Sequence, residues 1–317
     1  MHHRIKGRQL ACALLLVAGM ALAVTACGSS SGQATKLLEQ TFGGSHSVNS
    51  GDLSVVLDVD PSGSSTLKAP ITVSFGGPFQ RMGAGSLPAS NFEIGISELG
   101  SSASVGLLST GSTGYVTLQG ASYQLPAASF QKLESTFAQI TSSAAGGSGS
   151  GALSRLGIDP LRWLTDPSVI GTERVGGAET THVRATVNVD ALLGDINTFL
   201  QKAASAGIAG TAGISTISPV QRSRIANEVK NPRLDVWTGT GDKTLRKLAI
   251  KLSVPVSGRV SALLGGLRAA QIGLSLQYSN LGQHQTIQAP ARVRPFHQFA
   301  VKLRSFLATV KSLSGGG

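Results

Sequence analysis

The sequence predicts an α+β protein built on one large antiparallel sheet whose apolar face is covered by helices. Short runs alternate apolar and polar residues with period two, the pattern of antiparallel strands with one buried face. Gly, Ser and Pro clusters separate these runs. Longer segments between and after them carry a single apolar stripe at helical spacing. A sheet with one apolar face must be covered, and helices with one stripe each can cover it.

Along the chain, residues 34–42 read as a short helix with Leu37, Leu38 and Phe42 on one side. Strands follow. Leu53, Val55, Leu57 and Val59 alternate with mostly polar neighbours, and Ile71-Thr72-Val73-Ser74-Phe75 alternates throughout. Phe92-Glu93-Ile94-Gly95-Ile96 and the runs 104–108 and 114–118 continue the series, which Tyr123-Gln124-Leu125-Pro126 ends. Residues 127–141 predict a helix with Phe130, Leu133, Phe137 and Ile140 along it, and 144–151 a flexible Gly/Ser loop. Asp159-Pro160-Leu161-Arg162-Trp163-Leu164 reads as a short helical turn with Asp159 as cap and Pro160 at the first position.

Strands are expected at 169–175 and 180–189. Asp190 is placed to cap a helix through Ala206 with Leu192, Leu193, Ile196, Phe199 and Leu200 on one stripe. Ser218-Pro219-Val220-Gln221 has the form of a capping box and opens a helix to Lys230. Strands return at 233–238, 245–255, 266–278 and 286–288. Pro295 opens a last amphipathic helix with Phe296, Phe299, Leu303, Phe306, Leu307 and Val310. We read this helix as packed under the sheet. The alternative rests it on a membrane with Lys302, Arg304 and Lys311 near the headgroups.

The N-terminus sets the compartment. His2, His3, Arg4, Lys6 and Arg8 precede an apolar run from Leu10 to Ala26, and Val24-Thr25-Ala26-Cys27 resembles the bacterial lipobox. Basic, then apolar, then small is the order of a secretory signal peptide. Residues 1–26 are therefore expected to be removed, leaving Cys27 as a lipidated N-terminus. Residues 27–33 would form the anchor and its flexible tether, and 34–317 a single domain. An uncleaved membrane helix is the alternative, but about 17 residues is the lower limit for a span. The expected location is the outer face of the cell membrane, with the membrane held through acylated Cys27.

The formal net charge is +11, three units of which come from Arg4, Lys6 and Arg8. Outside the cytoplasm such a balance suits anionic headgroups or wall polymers. No basic run is interleaved with aromatics, so nucleic acid is not an expected partner. Cys12 lies in the signal peptide, so Cys27 would be the only cysteine left and no internal disulfide could form. Aromatics make up 5% of the chain, too few to favour sugar binding by ring stacking.

Four local patterns, in order, resemble the LppX/LprG-type lipoproteins of actinobacteria and, more distantly, the LolA/LolB lipoprotein carriers. The first is Gly114-Tyr115-Val116-Thr117-Leu118 with Gly120 and Tyr123-Gln124-Leu125-Pro126. The second is Asp159-Pro160 with Trp163-Leu164. The third is Asp235-Val236-Trp237 leading to Leu245-Arg246-Lys247-Leu248. The last is Tyr278-Ser279-Asn280-Leu281-Gly282 with Ile287-Gln288-Ala289-Pro290. The resemblance implies a curved antiparallel half-barrel, its concave face covered by helices over an apolar cavity. It further implies a lipid or lipidated ligand, such as one bearing a palmitate chain, carried or presented in the envelope with an envelope transport partner. Only Cys27 carries over by motif, as the lipid attachment site.

The candidate cavity lining comes from the strand pattern: Val55, Leu57, Ile71, Val73, Phe75, Ile94, Ile96, Leu248, Ile250, Leu252, Ile272, Leu274 and Leu276. Any of these is also a plain core position. Removing a 16-carbon chain from water yields roughly 12 kcal/mol gross at ~0.8 kcal/mol per methylene. A membrane offers nearly the same gain, so passive exchange needs only a comparable cavity.

Enzymatic readings find little support. His46, His182, His284 and His297 are far apart, lack metal-ligand spacing and are read as surface or loop residues. No Gly-x-Ser-x-Gly stands at a strand-to-helix turn. Asp58 and Asp60 read as exposed positions on or beside a strand, and the Asp190/Asp195 pair as part of a helix cap. No catalytic residue, metal or cofactor is expected. The competing class is a structural or sensory envelope lipoprotein with a filled core and a protein partner.

Overall fold

The computed structural model describes residues 30–44, 46, 48–83, 86–98, 101–142, 157–205 and 216–304. Cys27, the loop 144–151 and Phe306, Leu307 and Val310 lie outside them.

Twelve strands among the described residues form one open, curved sheet in the order β12-β6-β5-β4-β3-β2-β1-β11-β10-β9-β8-β7. The first half is a meander of β1 (Ser50–Ser62), β2 (Ile71–Gln80), β3 (Ala89–Glu98), β4 (Ser101–Ser109), β5 (Gly114–Leu118) and β6 (Ala121–Gln124). The second comprises β7 (Leu164–Val175), β8 (Ala178–Val187), β9 (Lys230–Gly239) and β10 (Leu245–Pro255). β11 (Ala269–Ser279) joins the halves by pairing with β1 on one side and β10 on the other. All neighbours are antiparallel except β12 (Val293–Arg294), which runs parallel to β6, so the sheet is mixed.

Helix α1 (Ser30–Gly43) begins inside the segment read as tether. α2 (Ala127–Ser142) follows β6, α3 (Val189–Ser205) follows β8, and α4 (Pro219–Glu228) precedes β9. α5 (Gly258–Leu263) is a six-residue helix that periodicity had not indicated. Residues 286–288, expected as a strand, form none. Their stretch belongs to a connection that crosses the ends of β1 and β2, where Gly282 N donates to Ser50 O at 3.1 Å and Gln285 N to Gln80 Oε1 at 3.0 Å.

The capping chemistry follows the sequence closely, with two corrections. Ser218 and Gln221 make the reciprocal capping box, with Pro219 at the first helical position. Asn197 clasps the backbone just before it, donating to Ile217 O at 2.6 Å and accepting from Ile217 N at 3.1 Å. α3, however, starts one residue before Asp190. The side chain that accepts from its first turn is Asn188, from Ala191 N at 3.1 Å.

Asp195 is also not part of an exposed cap. It is buried, and its Oδ2 accepts from Trp163 Nε1 at 2.9 Å and from Asp159 N at 2.7 Å. This ties α3 to the 3-10 turn Pro160–Trp163, which Asp159 caps on Leu161 N as expected. The main core lies here, with Ala34, Leu38, Trp163 and Leu192 packed over Val183, Leu234, Val236, Leu248 and Ile250 of the sheet.

Replacing Asp195 by Ala leaves a buried indole N–H and a backbone N–H without an acceptor. The expected cost is roughly 3 kcal/mol in urea unfolding. Asp195→Asn, which keeps an acceptor oxygen, is expected to lose less than half of that.

Candidate functional site

Pairing register places all thirteen candidate lining residues on one face. Val105, Ile94, Phe75, Val55, Leu276, Leu248, Val236 and Val183 are successive cross-strand partners, continued by Leu118 at one end and Val169 at the other. This row is apolar across ten strands. A second runs through Ala103, Ile96, Val73, Leu57, Leu274, Ile250, Leu234 and Ala185. A third joins Ile71, Val59, Ile272 and Leu252. Val59, Val105, Leu234 and Val236 therefore belong to the face too. The alternation in each strand could have supplied them, but cross-strand neighbours appear only with the register.

The cover over this face is uneven. At the β8–β10 end, α1, Trp163 and α3 bury it, and Leu248 is 8% and Ile250 3% exposed. At the β5–β6 end, Tyr123 packs at 5.5 Å, rings tilted, against Phe299 of the helical segment 296–304, and Phe299 against Phe296 at 5.4 Å. The described part of the terminal helix thus packs on the sheet, as read from its stripe. Gly114 makes room for Phe130 of α2, because a Cβ there would stand 2.7 Å from the ring. Between these ends, Ile94 is 43% and Ile96 48% exposed, and Val55, Phe75 and Leu276 are half-buried. Leu133 of α2, expected in the apolar stripe, is 52% exposed. Phe75 and Phe92 pack at 5.0 Å, and Tyr278 meets Phe79 at 6.3 Å. Burial pushes the Tyr278 phenol above its ordinary pKa, so it stays protonated as a hydroxyl on this face.

No family model matches the sequence, and no curated protein matches it. Solved structures do align with it. LprF from Mycobacterium bovis shares 13% identity at a TM-score of 0.39, over 83% of this chain and 99% of that one. Lipoprotein LppX from Mycobacterium tuberculosis shares 13% at 0.30, over 82% and 94%. A LolA superfamily protein from Nitrosomonas europaea shares 12% at 0.19, over 81% and 94%.

The opposite face of the sheet is polar, and it holds a cleft of about 840 Å³ spanning β1, β11, β10, β9, β8 and β7. Only Leu252 and Ile272 of the candidate lining border it, so the cleft is not the expected apolar cavity. Asp58 and Asp60, exposed as expected, stand at one side, Lys251, Arg233 and Arg184 in the middle, and Asp166 at the other side.

Beside the cleft, Asp235 is buried under three cationic or donor groups. Arg184 Nε donates to its Oδ1 at 2.8 Å, His182 Nε2 lies 2.8 Å from the same oxygen, and Arg233 Nε stands 2.9 Å from Oδ2. His182 was read as a surface residue. It is in fact buried in β8, stacked on Trp237 at 4.4 Å, with Glu173 at 3.2 Å from its other nitrogen. A lone histidine in a Thr-rich run carries no sign of partners on the two neighbouring strands. His46, after α1, bonds Gln40 O at 2.8 Å, and His284 and His297 are exposed. Among the described residues no cluster of histidine, cysteine and carboxylates is suited to a metal.

Burial acts to raise the Asp235 pKa, but hydrogen bonds from Arg184 and His182 and the charges of Arg184 and Arg233 outweigh it and hold the carboxyl below its ordinary range. A depressed carboxylate pKa stabilises the fold above the unfolded value of about 3.9 and ceases to do so as pH falls through the folded value. Urea midpoints measured from pH 5 to 2 are therefore expected to fall more steeply for the natural chain than for Asp235→Asn. The variant is also expected to be the less stable of the two at pH 7.

Proposed function

We propose that the protein is an exported envelope lipoprotein that holds the acyl chains of a lipid or lipidated molecule against the apolar face of its sheet and carries or presents it. The observation that carries this reading is the ten-strand apolar row with the row beside it, closed by packed side chains at both ends and exposed at Ile94 of the first and Ile96 of the second. A filled core would bury these positions as fully as Leu248 and Ile250. An acyl chain laid along the row removes the same surface from water, at about 25 cal/mol per Å².

The lipobox at Val24–Cys27 supports acylation of Cys27 and anchoring outside the membrane, which would keep the open face near its lipid source. The binding reading needs no residue for chemistry, and we propose that the protein is not an enzyme. Tyr278 supplies a neutral hydroxyl on this face, a suitable donor to a lipid's polar end.

Native mass spectra of the chain from Gly28 onward, produced in a lipid-containing bacterial host, are expected to show stoichiometric added mass that organic extraction removes as a lipid. Ile94→Glu with Ile96→Glu is expected to lower that loading at least tenfold without loss of fold, since both side chains are already half in water. A clean mass that takes up no added lipid would instead favour a structural or sensory lipoprotein with a protein partner on this face.

A further inference from the structure

We propose that the cleft on the polar face is a binding site for a zwitterion that carries a phosphate and an ammonium group. This site is separate from the apolar face and does not depend on acyl chains binding there.

The register separates the charges. Asp58 and Lys251 are both cross-strand partners of Gly273, so an acid and a base flank a position with no side chain. The two outer strands are two spacings apart, about 10 Å, and the side chains reach into that gap. Lys251 is exposed and has no ion-pair partner among the described residues. Directly opposite it across the β10–β9 ladder stands Arg233, a like-charge pairing that destabilises a sheet unless a counter-charge meets it. Asp235 does not supply one for all of them, since its single carboxylate is already shared by Arg233 and Arg184. Both guanidiniums meet Asp235 through Nε and both border the cleft, which leaves the forks of their terminal nitrogens for an oxyanion.

On the β1 side the sign reverses. Asp58 accepts from Thr72 at 2.6 Å and Asp60 stands beside it, together a receptor for a cation. The lining thus has three acids and three bases, balanced in number but segregated in space. A simple anion would satisfy the middle and be repelled from the sides; a zwitterion satisfies both. Two strand irregularities shape the cleft. Of the five non-glycine residues with positive φ among the described residues, three lie in the connections that follow β5, β9 and β11, whereas Asp166 (φ 52°) and Asn231 (φ 49°) lie within strands, at or beside register shifts, and both border the cleft.

Phosphoethanolamine tests the assignment, whether its source is a free phosphoester or a lipid headgroup. Titration of the full chain in maltoside micelles, followed by calorimetry and phosphorus NMR, is expected to show saturable binding at least tenfold tighter than for inorganic phosphate or ethanolamine alone. Lys251→Glu is expected to weaken it at least tenfold. So is Gly273→Val, whose Cβ would meet only Asp58 Cβ at 3.9 Å, an ordinary contact, and whose urea midpoint should not fall. Displacement by short-chain phosphatidylethanolamine would identify a lipid as the source, and resistance to it the free phosphoester. Absent saturation, equal affinity for phosphate alone, or binding unchanged in both variants would overturn the proposal, whether or not the apolar face carries lipid.

Discussion

Everything in this molecule depends on the register of one continuous sheet. Side chains alternate along a strand, so a one-residue slip at any ladder would send the apolar set of that strand to the polar side. Here the ladders from β5 to β7 keep Leu118, Val105, Ile94 and their partners through Val169 on a single side. Helices, aromatic plugs and the acid–base pattern of the other side all take their positions from that agreement. Among the described residues the register shifts fall in the β10–β9 and β7–β8 ladders, and the ten-strand row keeps its partners through both.

The two faces are used differently. The apolar face is closed firmly at one end by α1, Trp163 and α3, with the Asp195 carboxylate holding the turn to the helix from within. At the far end a few rings suffice. The polar face carries its charges in bands that follow the strands, so that its cleft is organised by the same ladder that organises the core. A single constraint on backbone pairing thus builds two unlike surfaces back to back.

Much of this was legible in the chain. Period-two alternation groups the thirteen candidates on one face of the sheet, because burial of one face selects alternation directly. The capping box at Ser218 and the turn at Asp159 were legible because their chemistry is local. What was not legible is what depends on distant partners. Asp195 and His182 are polar residues whose burial is satisfied by Trp163, Asp159 and Asp235, between 32 and 53 residues away along the chain. The α3 cap moved by two residues because Asn188 and Asp190 are both good caps and packing chose between them. Residues 286–288 alternate like a strand, yet they join no ladder of the sheet.

The central position of β11 has a consequence for how the chain acquires its structure. The β1–β6 meander and the β7–β10 block are each built from pairings between segments close in sequence, apart from α3 and α4 between β8 and β9. The seam is different: β1 must wait for a partner that begins at Ala269, more than 200 residues later. Closing so long a loop before the contacts that reward it are made is the costly step for such topologies. A chain emerging N-terminus first would therefore hold two unfinished halves, each with an apolar side in water, until β11 arrives. The residues that zip the seam, Leu274 and Leu276 among them, would set how long that exposed interval lasts.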